Sequence, residues 1–375
     1  MFKTLIITLL FTGMLFSQQM DFEEYDPPST LVVPEHVTTS AKFPFIDVHN
    51  HQFRMPEQDI SELIVEMDKL NMAVMVNLSG RGFRRIEQPD GSFRFALQST
   101  DYLNQAVTNA NTSAPGRFII FTNVDFSGIG EEGWTEKAVQ ELETDVKNGA
   151  NGLKIYKGLG MGTNDVNGNR VPVDDPRLDP IWAKCGELGI PVLIHSADPA
   201  QFWQPHDAQN ERWLELKQRP GRKRDPATEP SFEQIIGEQH NVFRKHPKTN
   251  FINAHLGWYG NNLGKLGELM DEMPNMYTEI GAVLAELGRQ PRFAREWFIK
   301  YQDRVMFGKD SWRPEEYKVY FRVLETADEY FDYYRRRHAF WKMYGLDLPD
   351  EVLKKLYYKN ALRVIPNIDS SLFPE

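Results

Sequence analysis

The feature that narrows the fold most is a pattern repeated eight times along the chain: a short, continuously apolar run followed by a segment with helical spacing. The apolar runs are Phe43–Val48, Met72–Leu78, Phe118–Val124, Gly152–Tyr156, Pro191–His195, Phe251–His255, Met276–Ile280 and Val305–Gly308. Between them, Ile60–Leu70 has apolar residues at 60, 63, 64, 67 and 70, and helical periodicity also marks Ala138–Val146, Phe232–Phe243, Leu263–Met270 and Ala294–Tyr301. Runs that are apolar throughout imply strands buried on both faces, as in parallel sheets. Eight β/α units in about 270 residues predict an α/β fold, a (β/α)8 TIM barrel. An open doubly wound sheet would want a glycine-rich phosphate turn after the first strand. The residues standing there are His49, Asn50 and His51.

The flanks read differently. Met1 to about Gln18 has a positive Lys3, the apolar stretch Leu5–Phe16 and a small Ser17, the layout of a secretory signal peptide. About twelve apolar residues fall short of the roughly 20 that a spanning helix needs. No cysteine follows them, so a lipoprotein is excluded. A secreted or periplasmic protein is expected, with no stable membrane anchor after cleavage. Residues 19–42 are read as an extended leader and residues 43–366 as the barrel with a C-terminal helical extension. That extension, about Tyr317–Pro366, carries Tyr330, Tyr333, Tyr334 and Trp341, expected to pack on the barrel's outer wall. The net charge of −10 argues against a nucleic-acid partner. Cys185 is the single cysteine, so any metal must be held by His, Asp, Glu or Lys.

In such barrels, chemistry sits at the C-terminal ends of the strands. The first run ends in His49-Asn50-His51, the fourth holds Lys154, the fifth and sixth end in His195 and His255, the seventh ends near Glu279 and the eighth runs into Asp310. Four of the nine histidines therefore lie at strand ends on one predicted face. Residues 49 and 51 are two apart on an extended segment, so their imidazoles share a side and can hold one cation. His195 and Asp310 would complete an open site with room for water, whose pKa a cation lowers to about 7. Three imidazoles and a carboxylate suit zinc best, with iron or manganese next. His-x-His alone is a weak signal; the ordered set is a strong one.

The set resembles the amidohydrolase superfamily of metal-dependent barrels, closest to the amidohydrolase-related branch that includes the aminocarboxymuconate-semialdehyde decarboxylase-like enzymes. The matching stretches are FIDVHNHQF (45–53), GLKIYK (152–157), PVLIHSADP (191–199), FINAHLGW (251–258), VMFGKDSW (305–312) and YYKNALRV (357–364). The resemblance implies that His49, His51, His195 and Asp310 bind a divalent metal, and that His255 and Asp310 are catalytic. His255 would be the acid/base group, or a ligand to a second metal in a binuclear site. Lys154 would then be carbamylated and bridge two ions; the alternative is a charged Lys154 paired with Glu279 or with a substrate carboxylate. The eighth-strand segment departs from the branch's usual Gly-Ser/Thr-Asp-x-Pro, reading Gly308-Lys309-Asp310-Ser311-Trp312.

Glu279 is expected to orient a ligand histidine or to pair with Lys154, and Asp47 to do similar work or to hold a turn. The long loop of about residues 196–229 brings Trp203 as a candidate substrate contact, while its basic run Arg219, Arg222, Lys223 and Arg224 reads as a solvated face. The first functional expectation is a hydrolase that turns metal-activated water on an amide, lactone or ester. The alternative is a metal-dependent non-oxidative decarboxylase, and a non-catalytic binding barrel comes third. The expected partner is a small-molecule substrate, and a homo-oligomer is compatible with the sequence.

Overall fold

The computed structural model describes residues 20–88, 90–91 and 93–374; the expected signal peptide lies outside them. Residues 20–34 belong to a separate unit, irregular apart from one turn in which Glu24 N–H donates to Asp21. From Glu35 onward the chain is one unit. The extended leader expected over 19–42 therefore divides at this point. Residues 36–42 are tied to the barrel, with Ala41 N–H donating to Leu70 O and Thr38 Oγ1 to Lys318 O.

Eight strands alternate with helices. They are Phe45–Asn50, Met72–Asn77, Phe118–Ile120 continuing as Thr122–Asn123, Leu153–Ile155, Val192–Ile194, Phe251–Asn253, Met276–Glu279 and Val305–Met306. Every ladder among them is parallel. The ring closes where Val48 N–H meets Phe307 O at 2.9 Å and Asp310 N–H meets His49 O at 2.7 Å. The first, fourth, fifth and sixth strands are buried along their whole length, the physical basis of their unbroken apolar sequences. The fold is the (β/α)8 barrel.

Local signals explain the helices. Asp59 caps Ile60–Leu70 by accepting from Ser61 N–H, and Ile60, Leu63, Met67 and Leu70 turn inward. Asn71 ends that helix in the left-handed conformation, φ 63°. Among the described residues no helix is long and apolar enough to cross a membrane.

Two features were not foreseen. An antiparallel hairpin, Phe83–Glu87 with Phe93–Leu97, is inserted after the second strand. The tail is helical only at its ends, Pro314–Glu325 and Asp350–Val364. Between them the chain is irregular, and it does not stay on the outer wall. Trp341 Nε1–H donates to Ala285 O at 2.9 Å, and His338 approaches Glu215 at 3.4 Å, so the segment lies against the loops after the fifth and seventh strands.

Candidate metal centre

His49 and His51 leave the first strand side by side, their rings 5.3 Å apart. Their Nε2 atoms lie 3.4 and 3.6 Å from one oxygen of Asp310, which leaves the eighth strand with φ 82°. These three residues form a group able to hold a cation. Each imidazole is oriented from behind. His49 Nδ1–H donates to Glu279 at 2.9 Å, which leaves Nε2 as the lone-pair nitrogen, buried and unpartnered. His51 Nδ1–H donates to Ser79 Oγ at 2.7 Å. Ser79 in turn bonds the Tyr156 hydroxyl at 2.8 Å, and Tyr156 donates to Leu78 O at 3.2 Å.

The donors fit a divalent cation electrostatically. Burial, reinforced by the nearby Lys154, holds the His49 imidazole well below the ordinary histidine range. Burial likewise draws His51 down to about 4. Both are neutral at pH 7, as ligands must be. Desolvation works against the Asp310 charge, but the imidazoles of His49, His255 and His51 bring its carboxyl down to about 2.

His195 sits outside that three-donor group. Its ring stands edge-on to His255 at 4.5 Å, and its buried Nε2 has no partner, as befits a donor directed at a cation. His255, on a segment with left-handed φ from His255 to Trp258, donates Nδ1–H to Gly281 O at 2.7 Å. That tautomer leaves Nε2 as the lone-pair nitrogen. His255 also groups with His49 and Glu279. The Glu279 carboxylate there already accepts from His49, from His255 N–H at 2.6 Å and from Gly281 N–H at 2.5 Å. The Glu279 carboxylate of this second group thus also fixes the positions of His49 and His255.

The Lys154–Glu279 pair considered from sequence is not formed. Glu279 is spent on three other donors, and the Lys154 ammonium, buried, has no hydrogen-bond partner. Burial draws it down to about 8. Trp203 is also displaced from its expected place: its indole donates to Pro230 O at 2.9 Å and its ring packs on Phe232. The indole at the histidines is Trp258, 4.6 Å from His255 and 5.6 Å from His195. Asp47 is a structural hub, accepting from His49 N–H, Lys309 N–H, Asn50 Nδ2 and the Tyr317 hydroxyl. Lys309, the departure in the eighth-strand motif, points at Glu316 (2.5 Å). In the basic run, Arg222 pairs with Glu215 and Arg224 with Asp198 and Glu229. Ser79 and Trp258 were missed, although Ser79 directly follows the second strand and Trp258 closes a stretch already singled out.

A barrel with imidazoles and a carboxylate converging at the C-terminal ends of its strands defines a metal-dependent TIM-barrel enzyme. The Amidohydrolase family model (Amidohydro_2) matches residues 46–366, and the chain belongs to that family. It is distantly related to the 2-amino-3-carboxymuconate-6-semialdehyde decarboxylase of Dictyostelium discoideum, 32% identical over 119 residues. That match spans 29% of this chain and 28% of the relative. A candidate amidohydrolase of Staphylococcus aureus has the same fold, with a TM-score of 0.51 at 17% identity over 86% of this chain and 99% of that one. A dihydroxybenzoic acid decarboxylase from a Polaromonas species, solved with bound manganese, is similar at a TM-score of 0.48 and 13% identity over 86% and 96% of the two chains.

Proposed function

We propose that the protein is a metal-dependent carboxy-lyase releasing carbon dioxide from a small, planar carboxylated substrate. The observation that carries this reading is Lys154, an ammonium buried near the imidazoles that makes no hydrogen bond and no ion-pair contact, its charge being met only at a distance by Asp310, Glu279 and the Tyr156 ring. A buried cation is costly without a counter-charge, and a substrate carboxylate supplies one. A neutral amide, lactone or ester would leave it unpaired. The partial relationship to a decarboxylase supports the same direction.

A divalent cation held by His49, His51 and Asp310, with His195 as a further donor, would supply Lewis-acid charge to a substrate oxygen. The chain's own groups do the rest. Lys154 holds the carboxylate that is to leave. Tyr156 and Phe53, both stacked on His51 at 5.8 and 5.4 Å, give a planar substrate a wall. His255 Nε2, the lone-pair nitrogen, first takes up a proton from water; as the bond to carbon dioxide breaks, its electron pair stays on the substrate carbon, and Nε2 passes that proton to the carbon in place of the lost group.

Hydrolysis is the second reading, favoured by one observation: a Lys154 amine drawn down to about 8 offers neutral amine for carbamylation and a two-cation bridge. The two are separated on metal-loaded protein by the product formed. Labelled carbon dioxide from 2-hydroxybenzoate and related carboxylated phenols supports the lyase. Acid release from lactones or amides with no carbon dioxide from any carboxylate sinks it. Zinc, iron and manganese are compared in the same assay. We also propose export, supported by the composition of Met1–Gln18, and the N-terminal residue of the mature protein tests it.

A further inference from the structure

The unforeseen hairpin borders a cavity of about 410 Å³ that runs between the hairpin and the loops after the third and fourth strands. Its inner end is Lys154 and Tyr156. Its walls are aromatic: Phe83 and Phe95 from the hairpin, and Phe126 opposite. Phe83 lies 5.2 Å from the Tyr156 ring and 5.8 Å from Phe53, so the aromatic surface is continuous from His51 outward. Phe95 is 70% exposed, so its ring is open for a ligand to lie against.

The outer part of this cavity carries a second positive charge. Arg94 lines it from the hairpin. Arg94 is exposed, and among the described residues its guanidinium forms no ion pair with a carboxylate. Asp125 also lines the cavity, but its Oδ1 accepts from Ser127 N–H at 2.9 Å. The neighbouring Arg85 is used differently, lying flat on Phe93 at 3.1 Å.

We infer that the hairpin Phe83–Leu97 is the specificity element of the site and that Arg94 reads a second anionic group on the substrate, at the end remote from the carboxylate held by Lys154. The ligand is therefore an elongated planar molecule, negative at both ends, lying along the aromatic surface of Phe83, Phe95 and Tyr156. A guanidinium suits this task because its planar fork donates two parallel N–H bonds to a carboxylate. The inference rests on the proposed carboxylate-binding role of Lys154, but it concerns recognition and not the bond that breaks.

The test is equilibrium binding to metal-loaded full-length protein, followed by quenching of tryptophan fluorescence. The probes are 2-hydroxybenzoate and its 4- and 5-carboxylated derivatives. Wild-type protein is expected to bind at least one diacid about tenfold more tightly than the monoacid, about 1.4 kcal/mol. Arg94→Ala is expected to erase that ratio, and Arg94→Lys to restore part of it. Lys154→Ala is expected to weaken all three probes. Equal wild-type affinity for monoacid and diacids, no binding of any probe, or a ratio unchanged by Arg94→Ala overturns the inference. Carbon dioxide release is scored separately. A diacid preference lost in Arg94→Ala without any carbon dioxide would retain the specificity element and defeat the lyase reading.

Discussion

Glu279→Gln is the most informative single change, because every atom that the carboxylate touches is a donor. One oxygen accepts from His49 Nδ1–H at 2.9 Å and His255 N–H at 2.6 Å; the other accepts from Gly281 N–H at 2.5 Å. A glutamine amide has only one acceptor end. In its better orientation it keeps the two histidine bonds and turns its NH2 toward Gly281 N–H. It cannot swing clear, since a Cβ added to Gly308 would lie 2.3 Å from that same carboxylate oxygen, which shows how closely the backbone approaches. One charge-assisted bond is lost, about 1.5–3 kcal/mol, and a buried donor is left facing another donor, about 1–3 kcal/mol more. We expect a total destabilisation of about 2.5–6 kcal/mol, read as a lowered urea midpoint at constant m. We also expect metal affinity, measured by chelator competition, to fall about 10–100-fold as His49 loses its orienting partner. A variant within about 0.5 kcal/mol of wild type that binds metal within about twofold would refute this role for Glu279.

Other outcomes follow from the same physics. Lys154→Met replaces a buried ammonium that makes no hydrogen bond with an apolar chain of similar shape; the metal-free protein should gain about 1–3 kcal/mol while turnover collapses, and a destabilised variant would show that Asp310, Glu279 and the Tyr156 ring already compensate the charge. His255→Ala should lower turnover about 10²–10⁴-fold with metal still bound, and a fully active variant would remove its acid/base role. Asp145 is buried with one oxygen unpartnered, and burial raises its carboxyl to about 6 from an ordinary 3.8. A raised folded value means that Asp145 costs about 3 kcal/mol of stability as pH climbs from about 4 to 6, and Asp47, whose carboxyl burial also raises to about 6, adds a similar fall. Asp145→Asn should therefore remove about half of that slope, and an unchanged slope would show that Asp145 does not contribute to it. Gly152→Ala would place a Cβ 2.3–2.5 Å from the buried Phe121 ring, so a loss of about 1–3 kcal/mol is expected from overpacking in thermal or chemical unfolding.

The barrel and the histidines were legible because both depend on a strand's two ends: continuous burial along its length and a polar residue where it stops. His49, His51, His255 and Asp310 all follow from that rule. Ser79 obeys it too, closing the second strand, but its role becomes visible only when His51 Nδ1 is seen against it. Trp203 and Trp258 look alike in sequence. Which indole reaches the histidines depends on how a long loop folds back on Pro230, a contact with no local signature. The hairpin did have one, an Asp90-Gly91 turn between Phe83-Arg84-Arg85-Ile86 and Phe93-Arg94-Phe95-Ala96. Its strands are partly exposed, so it lacked the continuous apolar run that marks the barrel. The middle of the tail resembled helix by composition, yet Phe331 and Met343 pair as a β-bridge and the aromatics are spent on distant loops. Long-range packing decided that segment, and periodicity does not report it.

The central proposal is that His49, His51 and Asp310 hold one cation, with Lys154 left as an uncarbamylated ammonium for a substrate carboxylate. Elemental mass spectrometry on the purified mature protein, with bicarbonate present, tests it most directly. One metal per chain in the wild type, and none in Asp310→Ala, is the predicted result. Two metals per chain would point to a carbamylated Lys154 bridge and to hydrolysis. No metal, even after reconstitution, would contradict the account at its base.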